Sequence, residues 1–175
     1  MARILFVIAP HNFRDIEYFV PKNVLKEAGH KVITASKVVD EVYGIESGKV
    51  DVEIHPRDVL VVDYDGIIFV GGAGMIEYIS DFDFTHLARS FYEHGKVVAA
   101  ICSAVGILAK AGILRGKRAT GWKGISEIIE AGGAEYSSKE VEISGNIITA
   151  RGPEAAKDFA EALLKVFANI RSKYE

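Results

Sequence analysis

The sequence predicts an α/β sandwich: a doubly wound, mostly parallel sheet covered by helices, with a small β-hairpin added. Three observations lead there. Strand-like and helix-like segments alternate along the chain, the strands are aliphatic runs of the kind buried on both faces, and turns follow the carboxyl ends of the strands. In such sheets the active crevice lies beyond those carboxyl ends.

The elements follow in order. Ile4 to Ala9 is a short apolar strand, followed by the loop Pro10-His11-Asn12-Phe13-Arg14. A helix is expected from about Asp15 to Ala28, with Asp15 as N-cap and Gly29 as the stop. Pro21 lies inside it, so the helix either kinks there or begins near Val20. Lys31 to Ala35 is the second strand. Between Glu41 and Ile54 two alternating segments flank Ser47-Gly48 and read as a small hairpin projecting from the main sheet. Ile67 to Val70 is another buried strand, ending in Gly71-Gly72-Ala73-Gly74. Asp83 to His94 reads as a helix whose aromatic neighbourhood (Phe82, Phe84, Phe91, Tyr92) suits core and interface better than a cofactor box. The apolar run Val97 to Ile101 passes without a turn dipeptide into a helical segment, Ser103 to Ala111. Ala119 to Trp122 is a candidate short strand and Ile125 to Glu130 a helix. A hairpin around Gly145-Asn146 joins Glu140–Ser144 to Asn146–Ala150. A last helix runs from about Pro153 to Ile170, with Pro153 suited to its first position.

Composition narrows the function classes. A chain of 175 residues, 49% hydrophobic, is long enough for one well-packed domain over 1–175 and too short for two comfortable ones. A net charge of −3 with both signs interspersed gives no basic footprint for nucleic acid. No apolar run approaches a membrane span, and the start goes straight into a strand rather than a cleavable signal. One cysteine excludes an internal disulfide framework and points to a cytoplasmic setting. The five histidines are scattered singly, so no metal site is expected, nor any cofactor.

Chemistry concentrates at Cys102. Strand must turn into helix there, as at a nucleophile elbow. The free N–H groups of the following helix would favour an anion, so a lowered thiol pKa is expected. A lone cysteine beside an apolar strand can equally be an inert small hydrophobe. Glu17 is the most informative acid. If the first helix is regular, Val20, Val24 and Ala28 form its buried face and Glu17 lies on that same face, turned toward the sheet edge near Cys102. Burial would raise its pKa; the alternative is a solvated acid at a helix N-terminus. Gly71-Gly72 is either an ordinary turn or a set of amides facing a substrate oxyanion together with Ser103 N–H. It lacks the spacing of a dinucleotide fingerprint and the lysine of a phosphate loop. Arg151 either lies at the rim of the crevice, holding a carboxylate or ordering a loop, or is a surface arginine in a strand-to-helix turn.

With these pieces in place the chain resembles the ThiJ/PfpI superfamily, which includes the parkinsonism-associated protein deglycase and the archaeal intracellular proteases. Asp15-Ile16-Glu17-Tyr18-Phe19-Val20-Pro21 is similar to the acid-bearing first helix, including the proline four residues after the glutamate, and Leu25-Lys26-Glu27-Ala28-Gly29-His30-Lys31-Val32 to the segment after it. Ile68-Phe69-Val70-Gly71-Gly72 looks like the family's glycine pair, Ala99-Ala100-Ile101-Cys102 like its elbow, and Thr149-Ala150-Arg151-Gly152-Pro153 like its late signature. The resemblance covers nearly the whole chain, in order.

It implies a flavodoxin-like, class I glutamine amidotransferase-like fold and a homo-oligomer, dimeric or higher. It makes Cys102 the nucleophile, Glu17 its hydrogen-bonded partner and general acid/base, and the N–H groups of Gly72 and Ser103 the oxyanion hole. Family proteases carry a histidine directly after the cysteine, where this chain has Ser103. Deglycase-like members carry one in a later strand, where it has Gly121-Trp122. His11 would have to substitute from another direction. The expected activity is glyoxalase- or deglycase-like, on a small carbonyl compound or a glycated or peptide substrate. The alternatives are a cysteine peptidase, weakened by the missing histidine, and a non-enzymatic oxidation sensor or chaperone.

Overall fold

The computed structural model describes residues 1–171. Its elements are β1 (Arg3–Val7), α1 (Asp15–Glu27), β2 (Lys31–Ala35), β3 (Glu41–Tyr43), β4 (Lys49–Asp51), β5 (Gly66–Phe69), α2 (Phe82–Glu93) and β6 (Val97–Ile101). There follow α3 (Val105–Lys110), β7 (Arg118–Ala119), α4 (Ser126–Ala131), β8 (Glu135–Tyr136), β9 (Val141–Ser144), β10 (Ile147–Ala150) and α5 (Ala156–Arg171). The main sheet has six strands in the order β2-β1-β5-β6-β10-β9. All its pairings are parallel except β10 with β9, which is the predicted late hairpin.

Strand periodicity explains the two cores. Along β1, Leu5 and Val7 enter one apolar cluster while Ile4 and Phe6, and Ile8 just past the strand, enter the other, on the opposite face. The same alternation holds in β5 and β6. The first cluster packs under Phe84, Leu87, Ala88 and Phe91 of α2 and Ile107 and Leu108 of α3; the second under Tyr18 and Leu25 of α1 and Phe159, Leu163 and Phe167 of α5. With both faces covered, the central strands carry no polar face to the solvent, which is why they read as continuous hydrophobic runs.

The hairpin β3–β4 forms outside the main sheet, as its alternation suggests, and buries Val42 and Val50 toward the α1 side. Several boundaries differ from the sequence reading. The short strand expected at Ala119–Trp122 is only Arg118–Ala119, and its partner is β8, an arrangement the sequence did not suggest. Helix α2 starts at Phe82 because Asp81, not a later residue, caps it through the Phe84 N–H. The cysteine is followed first by a tight 3-10 turn, Cys102–Ala104, and only then by the six-residue α3.

Helix α1 is continuous from Asp15 and does not begin again at Pro21. Pro21 lacks the N–H that would bond the Glu17 carbonyl, and it is buried on the face that also holds Glu17, Tyr18 and Leu25. This corrects the predicted face: Val20 and Val24 are half-buried and Ala28 is exposed. The N-cap is Arg14, without a side-chain cap, rather than Asp15. The Asp15 carboxylate instead accepts the N–H groups of Glu46 (2.8 Å) and Gly48 (2.7 Å), tying the turn of the β3–β4 hairpin to the first turn of α1. No helix among the described residues is long and apolar enough to cross a membrane.

Candidate active site

Three neighbouring strands end at one crevice. β5 runs into Gly71-Gly72, β6 into Cys102, and β10 into Arg151-Gly152, so Cys102 lies between the two glycine-bearing turns. Cys102 has φ 60, one of three non-glycine residues with positive φ among those described. A left-handed backbone at a residue with a Cβ is costly and persists only where the surroundings impose it. The sharp strand-to-helix junction foreseen from the uninterrupted Val97–Ala111 stretch is therefore present.

The turns on either side are locked to this elbow. Ser103 Oγ donates to the Gly72 carbonyl at 2.9 Å, and Arg14 N–H donates to the Gly71 carbonyl at 2.9 Å. Gly71 has no room for a side chain: a Cβ there would stand 2.7 Å from Glu17 Oε1 and 2.8 Å from Cys102 Cβ. At Gly72, φ 118 and a would-be Cβ 2.5 Å from Arg14 N demand glycine twice over. On the other side of the thiol, a Cβ on Gly152 would be 4.0 Å from Cys102 Sγ and 3.5 Å from Glu154 Oε2.

Glu17 enters from α1 with no exposed surface, and neither of its oxygens has a well-formed hydrogen bond among the described residues. The Cys102 thiol and the Gly71 N–H face the carboxyl and favour its charged form, but burial outweighs them and raises its pKa to about 7. Cys102 is pushed up to about 12, first by burial, then by the negative charge of Glu17; the Ser103 N–H opposes this by donating to the sulfur. The lowered thiol pKa expected from a helix N-terminus is thus not what the site delivers. The six-residue α3 begins only after the 3-10 turn, and desolvation together with a neighbouring carboxylate wins.

Above the thiol opens a cavity of about 480 Å³ lined by Arg14, Cys102, Trp122, Lys123, Glu140, Arg151, Gly152, Pro153 and Glu154. Trp122 is held there because its N–H donates to the Cys102 carbonyl at 3.2 Å. Arg151 N–H donates to the Glu140 carbonyl, and its guanidinium pairs with the Glu140 carboxylate at 3.6 Å, so Arg151 orders the neighbouring strand entry. His11 is not brought into the cavity: its ring faces Glu77 at 3.8 Å on the outer side of the loop. The site therefore gathers Cys102, Glu17, Gly71, Gly72, Ser103, Trp122 and Arg151, and leaves His11 out. Sequence reasoning missed Arg14, Lys123, Glu140 and Glu154. For Glu154 there was a signal, since it lies in the same strand-to-helix turn as Arg151 and Gly152, past a strand end that reaches the crevice. No group of three or more His, Cys, Asp or Glu among the described residues is arranged to hold a metal ion.

Comparison with known proteins gives a consistent picture. A profile described as the DJ-1/PfpI family matches residues 2–166. An uncharacterized protein of Methanocaldococcus jannaschii is 41% identical over 94% of this chain and 82% of its own length. A Pyrococcus furiosus protein named deglycase PfpI is 32% identical over 86% of this chain and 90% of its own. The crystal structure of a ThiJ/PfpI domain protein from Brachyspira murdochii superposes with a TM-score of 0.94 at 35% identity, covering 95% of this chain and 96% of that one.

Proposed function

The chain belongs to the DJ-1/PfpI family, and on that footing we propose that it is a cysteine-dependent enzyme acting on reactive carbonyls, with Cys102 as nucleophile and Glu17 as general base and acid. The observation that carries this reading is the buried Glu17 carboxyl, its oxygens unpartnered, set against the thiol with a pKa near neutrality. A base with a pKa close to the working pH is the efficient kind.

With methylglyoxal the chemistry runs as follows. The Glu17 carboxylate takes the thiol proton as sulfur bonds to the aldehyde carbon, and the carbonyl oxygen becomes an alkoxide held by the amides of Gly72 and Ser103. Glu17 returns the proton to that oxygen, giving a hemithioacetal. The carboxylate then removes hydrogen from the former aldehyde carbon, and the electron pair moves into an enediolate. Protonation of the adjacent carbon by Glu17, with the hydroxyl proton of the first carbon passing to the oxygen of the second, yields a lactoyl thioester. Water cleaves it to lactate, and the thiol is restored. One carbon is oxidised and its neighbour reduced, so no external oxidant is needed. A glycated amine, which presents the same carbonyl, would enter by the same first step; the deglycase name of a relative supports this extension. Among the described residues no histidine lines the cavity, so the peptidase reading lacks the histidine that usually serves the amine leaving group in the family, and the carbonyl reading is favoured over it.

The test pairs alkylation with turnover in wild type and Glu17→Gln. Removing the negative charge lifts one of the causes that raise the thiol pKa, so iodoacetamide modification of Cys102 at pH 8 is expected to speed up. Methylglyoxal turnover is expected to fall by about 10²–10⁴-fold, the usual worth of a general base. In wild type the rate should climb with pH through about 7, as Glu17 loses its proton. Alkylation indifferent to the substitution, or turnover that survives it, would sink the coupled-pair mechanism.

A further inference from the structure

Glu154 is a second carboxyl lining the cavity over the thiol, and no step above uses it. It stands on the turn after β10, on the side of Cys102 away from the Gly71-Gly72 turn of β5. Its Oε2 and the Cys102 sulfur border the same vacant space, the one a Gly152 side chain would fill, at 3.5 Å and 4.0 Å from that point. The two carboxyls are opposites in setting. Glu17 is wholly buried, out of reach of bulk water, whereas Glu154 is exposed, lines the cavity mouth and has no ion-pair partner among the described residues. Its negative charge is nonetheless felt at Glu17.

The proposed reaction has two halves with different needs. Proton transfer between carbons must exclude water, and thioester hydrolysis must admit it. A carboxyl sealed under the elbow suits the first; a solvent-facing one across a water-sized gap from the sulfur suits the second. We propose that Glu154 is the catalytic residue of the hydrolytic half, orienting and deprotonating the water that attacks the acyl group on Cys102. Resting on the carbonyl reading above, the step is balanced. The water oxygen bonds to the thioester carbon as its proton passes to Glu154. The tetrahedral intermediate then collapses, breaking the carbon–sulfur bond with the electron pair going to sulfur. Glu154 returns the proton to sulfur, and the free acid leaves as lactate. Gly152 has its own place in this account, because its missing side chain leaves room for the water.

The experiment is methylglyoxal turnover by Glu154→Gln, followed in the pre-steady state and by intact mass. Steady-state turnover is expected to fall about 100-fold, the scale of a lost general base, while first-turnover consumption stays within about twofold. A burst should appear, with a lactoyl adduct accumulating on Cys102. Glu154→Asp should recover part of the rate. Glu17→Gln should give no adduct. If wild type turns over and Glu154→Gln matches it without an adduct, Glu154 has no hydrolytic role and the carbonyl reading stands. A wild-type protein that neither turns over nor acylates overturns both.

Discussion

At Cys102 the backbone sits at φ 60 with its thiol between a buried carboxyl and an amide, and the charge state of that pair has a cost. Glu17 ionises near 4.5 in an unfolded chain and near 7 when folded. Between those values the unfolded chain has released a proton that the native state still holds, so stability falls as pH rises through this window. Below about 4.5 the group contributes no penalty, and above about 7 the penalty is full, roughly 3 kcal/mol at 1.36 kcal/mol per pKa unit. Glu17→Gln should therefore melt several degrees higher than wild type at pH 8, at about 2–4 °C per kcal/mol for a chain of this size. The gap should close toward pH 4, and thermal melts across that range check it. The pairing of Glu17 with Cys102 was legible from chain order and motif. The thiol's raised pKa was not, because it depends on how much protein surrounds the sulfur and on a charge brought in from another element. His11 shows the same limit: its proximity to Glu17 in sequence says nothing about which way a loop side chain points.

Helix α1 carries more than its glutamate. Asp15 looks from sequence like a helix cap, yet its carboxylate spends both oxygens on the turn of the β3–β4 hairpin. Nothing in the local sequence distinguishes these uses, since either satisfies a short acid beside free N–H groups. Gly44 and Gly48 are where the hairpin permits the approach: a Cβ at either would run into the Asp15 carboxylate. Asp15→Ala removes two charge-assisted hydrogen bonds at a part-buried site, where water takes over some of the donors, so the loss is at most about 1.5–3 kcal/mol for each. A drop in melting temperature is expected, with a fall in methylglyoxal turnover, because Arg14 and Glu17 lie in the same first turn of α1 that the tie holds. Unchanged melting would show the tie to be incidental. The predicted face of α1 was shifted for a related reason. Pro21 is turned inward in the structure, whereas apolar periodicity favoured Val20 and Val24, and only contact with the sheet decides between adjacent stripes.

Across the whole molecule, the doubly wound sheet and its helices were plain in the alternation of aliphatic runs and amphipathic stretches. The pairing of β7 with β8 was not, since two-residue strands leave no period to read. Nor was the cavity wall, which is assembled from side chains such as Arg14, Lys123 and Glu140 that lie far apart in sequence. That assembly sets a timetable. The strand nearest the elbow on one side is β10, among the last elements made, and it slots between β6 and β9. Until it docks, β6 is an edge and Cys102 is an ordinary thiol, quick to react at its free value of about 8.5. Refolding sampled by brief alkylation pulses should show the cysteine falling silent with the last phase of sheet formation rather than with early helix formation, and silence in the first phase would contradict it. The nascent chain thus passes through a window in which its one thiol is open to any electrophile, and the clock that ends it is the arrival of the C-terminal quarter.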